Sequence, residues 1–186
     1  MHIPAIRSLF MALAVVLSAA ISAPAAAAAD SKADLERTSR AALNKLVAKV
    51  PAAKALNGKA VAVLVFPSIT KAGFVVGGQY GEGVLWRGEK AVGYYSTAGA
   101  SYGLQAGAQK YGYAMFLMNE NALNALTTAE GFEVGVGPSV LLVDEGMAKS
   151  VTTTTAQNDI YAFIFGQTGL MAGVGIQGNK ITRLAK

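Results

Sequence analysis

The side chains that most often carry chemistry are scarce in this sequence. The chain has 186 residues, no cysteine and a single histidine, His2. The lack of cysteine excludes disulfides, thiolate nucleophiles, Cys-ligated zinc and iron–sulfur clusters. Nearly the whole chain also lacks an imidazole that could act as a base or a metal ligand. We therefore expect no metal and no cofactor.

Two short motifs have counterparts in enzymes. Ser68 and Lys71 have the S-x-x-K spacing of penicillin-interacting enzymes, but a glycine-rich strand follows where that chemistry needs the serine at a helix start. Residues 173–178 fit G-x-G-x-x-G, yet only eight residues remain after Gly178 for the helix and the acid that dinucleotide binding requires. The sequence therefore predicts no catalytic residue and no enzyme.

The basic side chains are concentrated in one segment. Residues 30–59 contain seven Lys or Arg and three Asp or Glu, whereas residues 60–186 contain eight of each kind. A cationic segment of this type attracts an acidic partner such as an anionic membrane. Nucleic-acid binding is not expected, because the aromatic side chains lie in predicted strands and the basic ones on a predicted helix.

That segment has the pattern of an amphipathic helix over residues 31–50. Arg37, Arg40 and Lys45 are expected opposite an apolar face. The apolar face consists of Leu35, Ala42, Leu43, Leu46, Val47 and Val50. Two interpretations remain open: the apolar face packs on the rest of the protein, or the helix lies on anionic lipid with its basic side chains around a partly buried apolar face.

Local signals predict where the helices begin and end. Ser31 and Asp34 resemble a capping box, which starts the first helix. Pro51 ends this helix or begins a second short one. Asn119 can cap a third helix that runs through Ala129.

From residue 60 the sequence has the pattern of strands, in which short apolar runs alternate with glycine-rich segments. The predicted strands lie at 60–66, 73–86, 93–99, 101–109, 113–118, 132–137, 140–143, 160–165 and 169–178. We predict an α+β fold, with an N-terminal amphipathic helix packed on a glycine-rich, mostly antiparallel, strongly curved sheet that has an inserted helix. Glycine inside strands is explained by close packing of sheet faces or by a smooth cavity for a ligand.

The start of the chain has the pattern of a secretory signal peptide. A weakly positive start precedes an apolar run at 9–21, which is shorter than the ~20 residues of a membrane span, and small residues lead to Ala29. We expect cleavage near Ala29 and export to the periplasm or cell envelope. The predicted parts are a signal peptide at 1–29, a basic helical segment at 30–58 and a glycine-rich body at 59–186 that forms one domain with that segment.

Four separated motifs stand in one order along the chain: FPSITKAGFVVGGQYGEG at 66–83, GASYGLQAGAQ at 99–109, VGVGPSV at 134–140 and GLMAGVGIQGNKITR at 169–183. They resemble the SYLF family of lipid-binding domains, which also occur as actin- and phosphoinositide-associated modules and whose bacterial branch consists largely of small exported proteins. The resemblance covers about residues 56–183. It implies binding of anionic lipid, with phosphatidylinositol lipids as the family's type of ligand.

The resemblance also bears on single positions. Lys71 matches a lysine in the same motif of eukaryotic members, whereas Gln79 stands where those members tend to have arginine. Ser139 and Val140 replace a further arginine. These departures remove cations that could hold a multiply phosphorylated head group, so the resemblance does not imply phosphoinositide specificity here. It does not imply actin bundling by an exported chain either.

The sequence therefore predicts a non-enzymatic exported protein that binds an anionic phospholipid membrane surface. The predicted lipid-binding residues are all basic: Arg37, Arg40, Lys45, Lys49, Lys71, Lys180 and Arg183. The alternative is a soluble periplasmic carrier that holds a lipid or another apolar ligand in a glycine-lined cavity.

Overall fold

The computed structural model describes residues 31–128, 131–143, 158–169 and 178–186. These residues form three helices: α1 at Lys32–Lys49, α2 at Pro51–Asn57 and α3 at Glu120–Thr128. They also form six strands: β1 at Ala62–Arg87, β2 at Lys90–Leu117, β3 at Phe132–Glu133, β4 at Val140–Val143, β5 at Ile160–Gly169 and β6 at Lys180–Leu184. The predicted signal peptide and most of the predicted strand at 169–178 lie outside the described residues.

The helix starts follow the predicted local signals. Ser31 is the N-cap of α1: its hydroxyl accepts a hydrogen bond from the backbone N–H of Asp34 at 3.2 Å and donates to the Asp34 carboxylate at 2.7 Å. Pro51 begins a second helix, where its missing N–H costs nothing. Asn119 precedes α3 and accepts from the backbone N–H of Ala122 at 2.9 Å. The capping box and the Asn119 cap are therefore confirmed.

The predicted strands join into one long hairpin. β1 and β2 pair antiparallel from Ala62 with Leu117 to Arg87 with Lys90, and the turn between them contains Gly88 at φ 59°. The prediction of separate strands at 60–66 and 73–86 is wrong, because register shifts absorb the irregular residues without ending the strand. One shift follows Phe66, where Pro67 interrupts the ladder, as expected of proline at a bulge.

β2 is the central strand of the sheet. β1 lies along one side of it, whereas β5 pairs with the second half of β2 and β6 with the first half on the other side. β3 pairs antiparallel with β6, and β4 pairs parallel with β5. The sheet is mixed and mostly antiparallel, so the predicted α+β class is confirmed.

The hairpin is strongly curled. The Tyr113 hydroxyl donates to Thr97 Oγ1 at 3.0 Å, although the two residues are 16 positions apart on the same strand. An extended strand of that length spans about 50 Å, so β2 must bend back on itself for the side chains to meet. The inside of this bend is called the concave face, and the outside the convex face.

Each face of the sheet carries its own hydrophobic core. On the concave face, Leu64, Tyr113 and Met115 pack with Leu123 of α3. On the convex face, the neighbouring residues on the strands pack with α1 and α2, because successive side chains point to opposite faces. α1 is therefore a convex-face element.

Glycines in the hairpin lie where backbones approach closely. A Cβ at Gly81 would lie 2.6 Å from Ile69 Cγ1 and 2.7 Å from the Ser68 carbonyl oxygen. A Cβ at Gly83 would lie 2.6 Å from the Val65 carbonyl oxygen. At these two positions, close packing of one part of β1 against another accounts for the glycine.

Candidate functional site

The apolar face of α1 is buried in the protein. Leu35, Ser39, Leu43 and Leu46 are the buried residues of the helix, and its leucines belong to the convex core. The first of the two interpretations is therefore correct for this conformation. A helix that rests its apolar face in lipid is not what the structure shows, because the sheet already covers that face.

A buried hydroxyl fixes α1 to the sheet. The Trp86 indole N–H donates to Ser39 Oγ at 2.9 Å, and this hydroxyl donates to the Val65 carbonyl oxygen at 3.4 Å. Sequence reasoning missed this contact. The available signal was a serine four residues after Leu35 and four before Leu43, which places it within the apolar stripe.

Arg40 is a packing residue of the convex face. Its guanidinium lies 3.9 Å from the centroid of the Trp86 ring and donates to the Gly88 carbonyl oxygen at 3.1 Å. The Glu89 carboxylate is 3.5 Å away, and only 22% of the Arg40 side chain is exposed. The prediction that Arg40 lies opposite the apolar face is wrong, because its position on the helix puts it on a flank beside Trp86.

The acids of α1 occupy its first turns and are engaged there. Arg37 is exposed and pairs with Asp34 at 3.1 Å. The hydrogen bonds from Ser31 and Arg37 hold the pKa of the Asp34 carboxyl below its usual value. Glu36 accepts a hydrogen bond from the Tyr94 hydroxyl. Burial, assisted by this bond, raises the pKa of Tyr94 to about 12.

The basic side chains towards the end of α1 and in α2 face solvent. Lys45, Lys49 and Lys54 are exposed, and no ion pair joins them to an acid in the described part of the chain. These three lysines are called the basic surface. Lys45 and Lys49 belong to the predicted lipid-binding set, whereas Lys54 belongs only to the predicted cationic segment.

The remaining predicted residues do not gather at the basic surface. Lys71 is 5% exposed and lies on the concave face, two residues after Ile69. Lys180 and Arg183 are exposed on β6. Their side chains point to opposite faces of the sheet, because successive side chains on a strand alternate between faces and these two residues are three positions apart. The role of these three residues in lipid binding stays a prediction.

Position 79 is buried in this chain. Gln79 Nε2 donates to Asn179 Oδ1 at 2.5 Å, and the Tyr111 hydroxyl donates to Gln79 Oε1 at 2.6 Å. A side chain enclosed in this way cannot meet a head group at the surface. The sequence does not indicate this burial, because the curl that encloses position 79 depends on contacts between distant residues.

An open groove of about 340 Å³ lies at the start of β2. It is lined by Lys32, residues 91–94 and residues 183–186. Gly93 is the one glycine in this lining, so the groove is not the glycine-lined cavity that the carrier alternative requires. The Lys186 ammonium beside it pairs with Glu82 at 2.5 Å.

Two kinds of feature are absent from the described residues. Within those ranges, no helix combines the length and the hydropathy that crossing a bilayer requires. In the same part of the chain, no three His, Asp or Glu side chains lie close enough together to hold a metal ion.

Comparison with known proteins gives one family. The family described as Ysc84, Las17-binding protein actin regulator, matches residues 98–185. No curated protein is significantly similar to the chain. The matched range contains three of the four motifs, at 99–109, 134–140 and 169–183. The match over residues 98–185 is consistent with the SYLF domain family that the motifs of this chain resemble.

Proposed function

We propose that this chain is a non-enzymatic, exported protein that adsorbs to anionic phospholipid surfaces through its basic surface. The observation that carries the proposal is the exposure of Lys45, Lys49 and Lys54 without an ion pair to a described acid. The other bases of α1 are engaged in the fold or paired with an acid, so these lysines offer the charge that a membrane can use.

Adsorption of this kind is electrostatic. Because the apolar face of α1 packs on the convex core, the helix offers no apolar surface for insertion in this conformation. A lysine near an anionic membrane contributes about 1 kcal/mol, so three give about 3 kcal/mol. Binding is then weak, reversible and sensitive to salt, because screening acts over about 8 Å at physiological ionic strength.

The predicted export and the partners named for the family help to identify the membrane to which the chain is proposed to adsorb. The predicted signal peptide supports an envelope location, where anionic phospholipids form the available surface. The family description names actin regulation and Las17 binding, and neither partner follows for an exported chain. Gln79 is buried, which supports a ligand selected by negative charge rather than by a multiply phosphorylated head group.

Co-sedimentation with vesicles tests the proposal. The full chain is expected to sediment with phosphatidylglycerol or cardiolipin vesicles, to stay in solution with phosphatidylcholine vesicles, and to be released as salt is raised. The double variant Lys45→Gln/Lys49→Gln should bind roughly 30-fold more weakly, because it removes about 2 kcal/mol of attraction.

The matched control is Lys90→Gln/Lys110→Gln, which makes the same charge change at two exposed lysines on β2. It should bind like the unsubstituted chain. Equal losses in the two double variants would contradict a localised basic surface. Equal binding to neutral vesicles would contradict the proposal as a whole.

A further inference from the structure

The open groove at the start of β2 has a positively charged lining. Its volume is about 340 Å³, and the basic residues in its wall are Lys32 at the start of α1, Arg183 on β6 and Lys186. No aspartate or glutamate of the described residues belongs to this lining. Basic side chains from separate elements around one cavity favour a negatively charged ligand.

The groove lies at the end of the ladder between β2 and β6. Tyr94 and Leu184 form the last described pair of this ladder, and the lining continues past that pair on both strands. Beyond the pair the sheet no longer separates its two faces, so side chains from either face can reach the same cavity. Lys32 reaches it from α1 on the convex face. Arg183 reaches it from the opposite face, because its neighbour Leu184 packs on the convex core.

Lys32 is held at the groove by an aromatic ring rather than by an acid. Its ammonium lies 5.2 Å from the centroid of the Tyr94 ring, and Tyr94 is itself part of the lining. The Tyr94 hydroxyl donates to Glu36, and no ion pair joins this acid to Lys32 within the described residues. The ring therefore positions the ammonium without neutralising its charge.

The other two bases differ in the charge that they leave for a ligand. Lys186 pairs with Glu82 at 2.5 Å, and only 16% of its side chain is exposed. Arg183 is exposed and forms no ion pair with an acid in the ranges that the structure describes. Arg183 thus offers a guanidinium whose N–H groups match the oxygens of a phosphate.

We propose that this groove binds a small phosphate monoester of the size of glycerol 3-phosphate. The phosphate oxygens accept hydrogen bonds from the Lys32 ammonium and the Arg183 guanidinium, and a dianion gains more from two cations than a singly charged carboxylate does. Val92, which lines the groove and is 44% exposed, offers an apolar wall to the carbon part of the ligand.

The proposed site is separate from the basic surface. Lys32 and Lys49 lie at opposite ends of α1, about 25 Å apart at the rise of an α-helix. This separation exceeds the screening length of about 8 Å at physiological ionic strength. The groove therefore binds its ligand whether or not the chain adsorbs to a membrane.

A nuclear magnetic resonance titration of the full chain with glycerol 3-phosphate at low salt tests this proposal. The backbone amide signals of Gly93 and Leu184, both in the lining, are expected to shift and to saturate. Glycerol, which lacks the phosphate, should leave them in place. Lys32→Gln and Arg183→Gln should each weaken binding about twofold to fivefold, as expected for an exposed charge pair. Lys110→Gln, the same charge change at an exposed lysine of β2, should leave the affinity unchanged.

Vesicles distinguish a free ester from a lipid head group. If the monoester is a lipid head group, Arg183→Gln weakens binding to phosphatidic acid vesicles more than binding to phosphatidylglycerol vesicles. If the ligand is a free ester, the variant affects both kinds of vesicle equally. Lys45→Gln/Lys49→Gln should bind glycerol 3-phosphate like the unsubstituted chain, so failure of membrane adsorption and failure of this site are separate results.

Three results would overturn the proposal: shifts that do not saturate, shifts that glycerol also produces, and a loss of affinity in Lys110→Gln equal to that in Arg183→Gln. Unchanged affinity in either Lys32→Gln or Arg183→Gln would overturn it as well. Both side chains are exposed, so these two variants should unfold at nearly the same urea concentration as the unsubstituted chain. A loss of binding in them then reports on the groove rather than on folding.

Discussion

The two halves of α1 carry basic side chains in different ways. In the first half, Arg37 pairs with an acid of the same helix, and Arg40 lies over the ring of Trp86. In the second half, Lys45 and Lys49 are exposed, and neither forms an ion pair with an acid in the described ranges. Basic residues thus fix the helix at one end and face solvent at the other. The net charge of residues 30–59 therefore overstates the positive charge that is accessible to a membrane surface.

The largest effect is expected at the anchor of the first half. Trp86→Ala removes a buried ring from the convex core, the donor to Ser39 and the surface under Arg40. It should lower the free energy of unfolding by about 3–5 kcal/mol, measured by urea denaturation. Val92→Ala, at an exposed apolar residue near the same hairpin turn, should change stability by less than about 0.5 kcal/mol. Similar losses in both variants would contradict the anchoring role.

The same contrast shows how far the sequence predicts the structure. The ends of α1 follow from local signals, because the residues that set them are close in sequence. Ser31 and Asp34, three residues apart, form the capping box at its start, and Pro51 affects only the adjacent helical turn at its end. The place of Arg40 depends on Trp86, which follows it by 46 positions and reaches it only because the hairpin carries β1 under the helix. The burial of Lys71 likewise depends on the curl. Periodicity describes one element at a time, so it could not predict these contacts between distant residues.

The candidate site was predictable to a similar extent. The exposure of Lys45 and Lys49 follows from the helical pattern alone, since both lie off the apolar stripe. Gln79 and Gln109 look like surface residues in a glycine-rich strand. They are buried because the short predicted strands join into one bent hairpin. In the sequence, the glycine and proline residues between those strands indicate strand ends instead.

Ser39→Ala should have the next largest effect. It leaves the buried Trp86 indole N–H without its acceptor, which should lower the free energy of unfolding by about 1–3 kcal/mol. Vesicle binding by the folded protein should not change, because Ser39 is buried. In a Trp86→Phe background the same substitution should cost less, since no donor remains. An equal cost in both backgrounds would show that the hydrogen bond does not hold the helix.

Arg40→Gln sharpens the comparison within α1. Loss of the contact with the Trp86 ring should lower stability by about 0.5–1 kcal/mol, with little change in vesicle affinity. Lys45→Gln should do the reverse, weakening adsorption about fivefold while changing stability by less than about 0.5 kcal/mol. Equal losses of vesicle affinity would place Arg40 on the membrane side of the helix and remove the distinction between the two halves.

The smallest effect concerns acid and the first turn of α1. The hydrogen bonds from Ser31 and Arg37 lower the pKa of Asp34 below its ordinary value of 3.8. The ionised carboxylate thus stabilises the fold above the unfolded-state pKa, and this contribution is lost as the pH falls through the lower folded-state pKa. Between about pH 5 and pH 3, the stability of Asp34→Asn should therefore fall less than that of the unsubstituted chain. Asp159, whose pKa is lowered by Asn119 and Ser139, supplies the matched variant Asp159→Asn. If Asp34→Asn retained the full acid sensitivity while Asp159→Asn lost it, the first turn of α1 would not be held by its capping box.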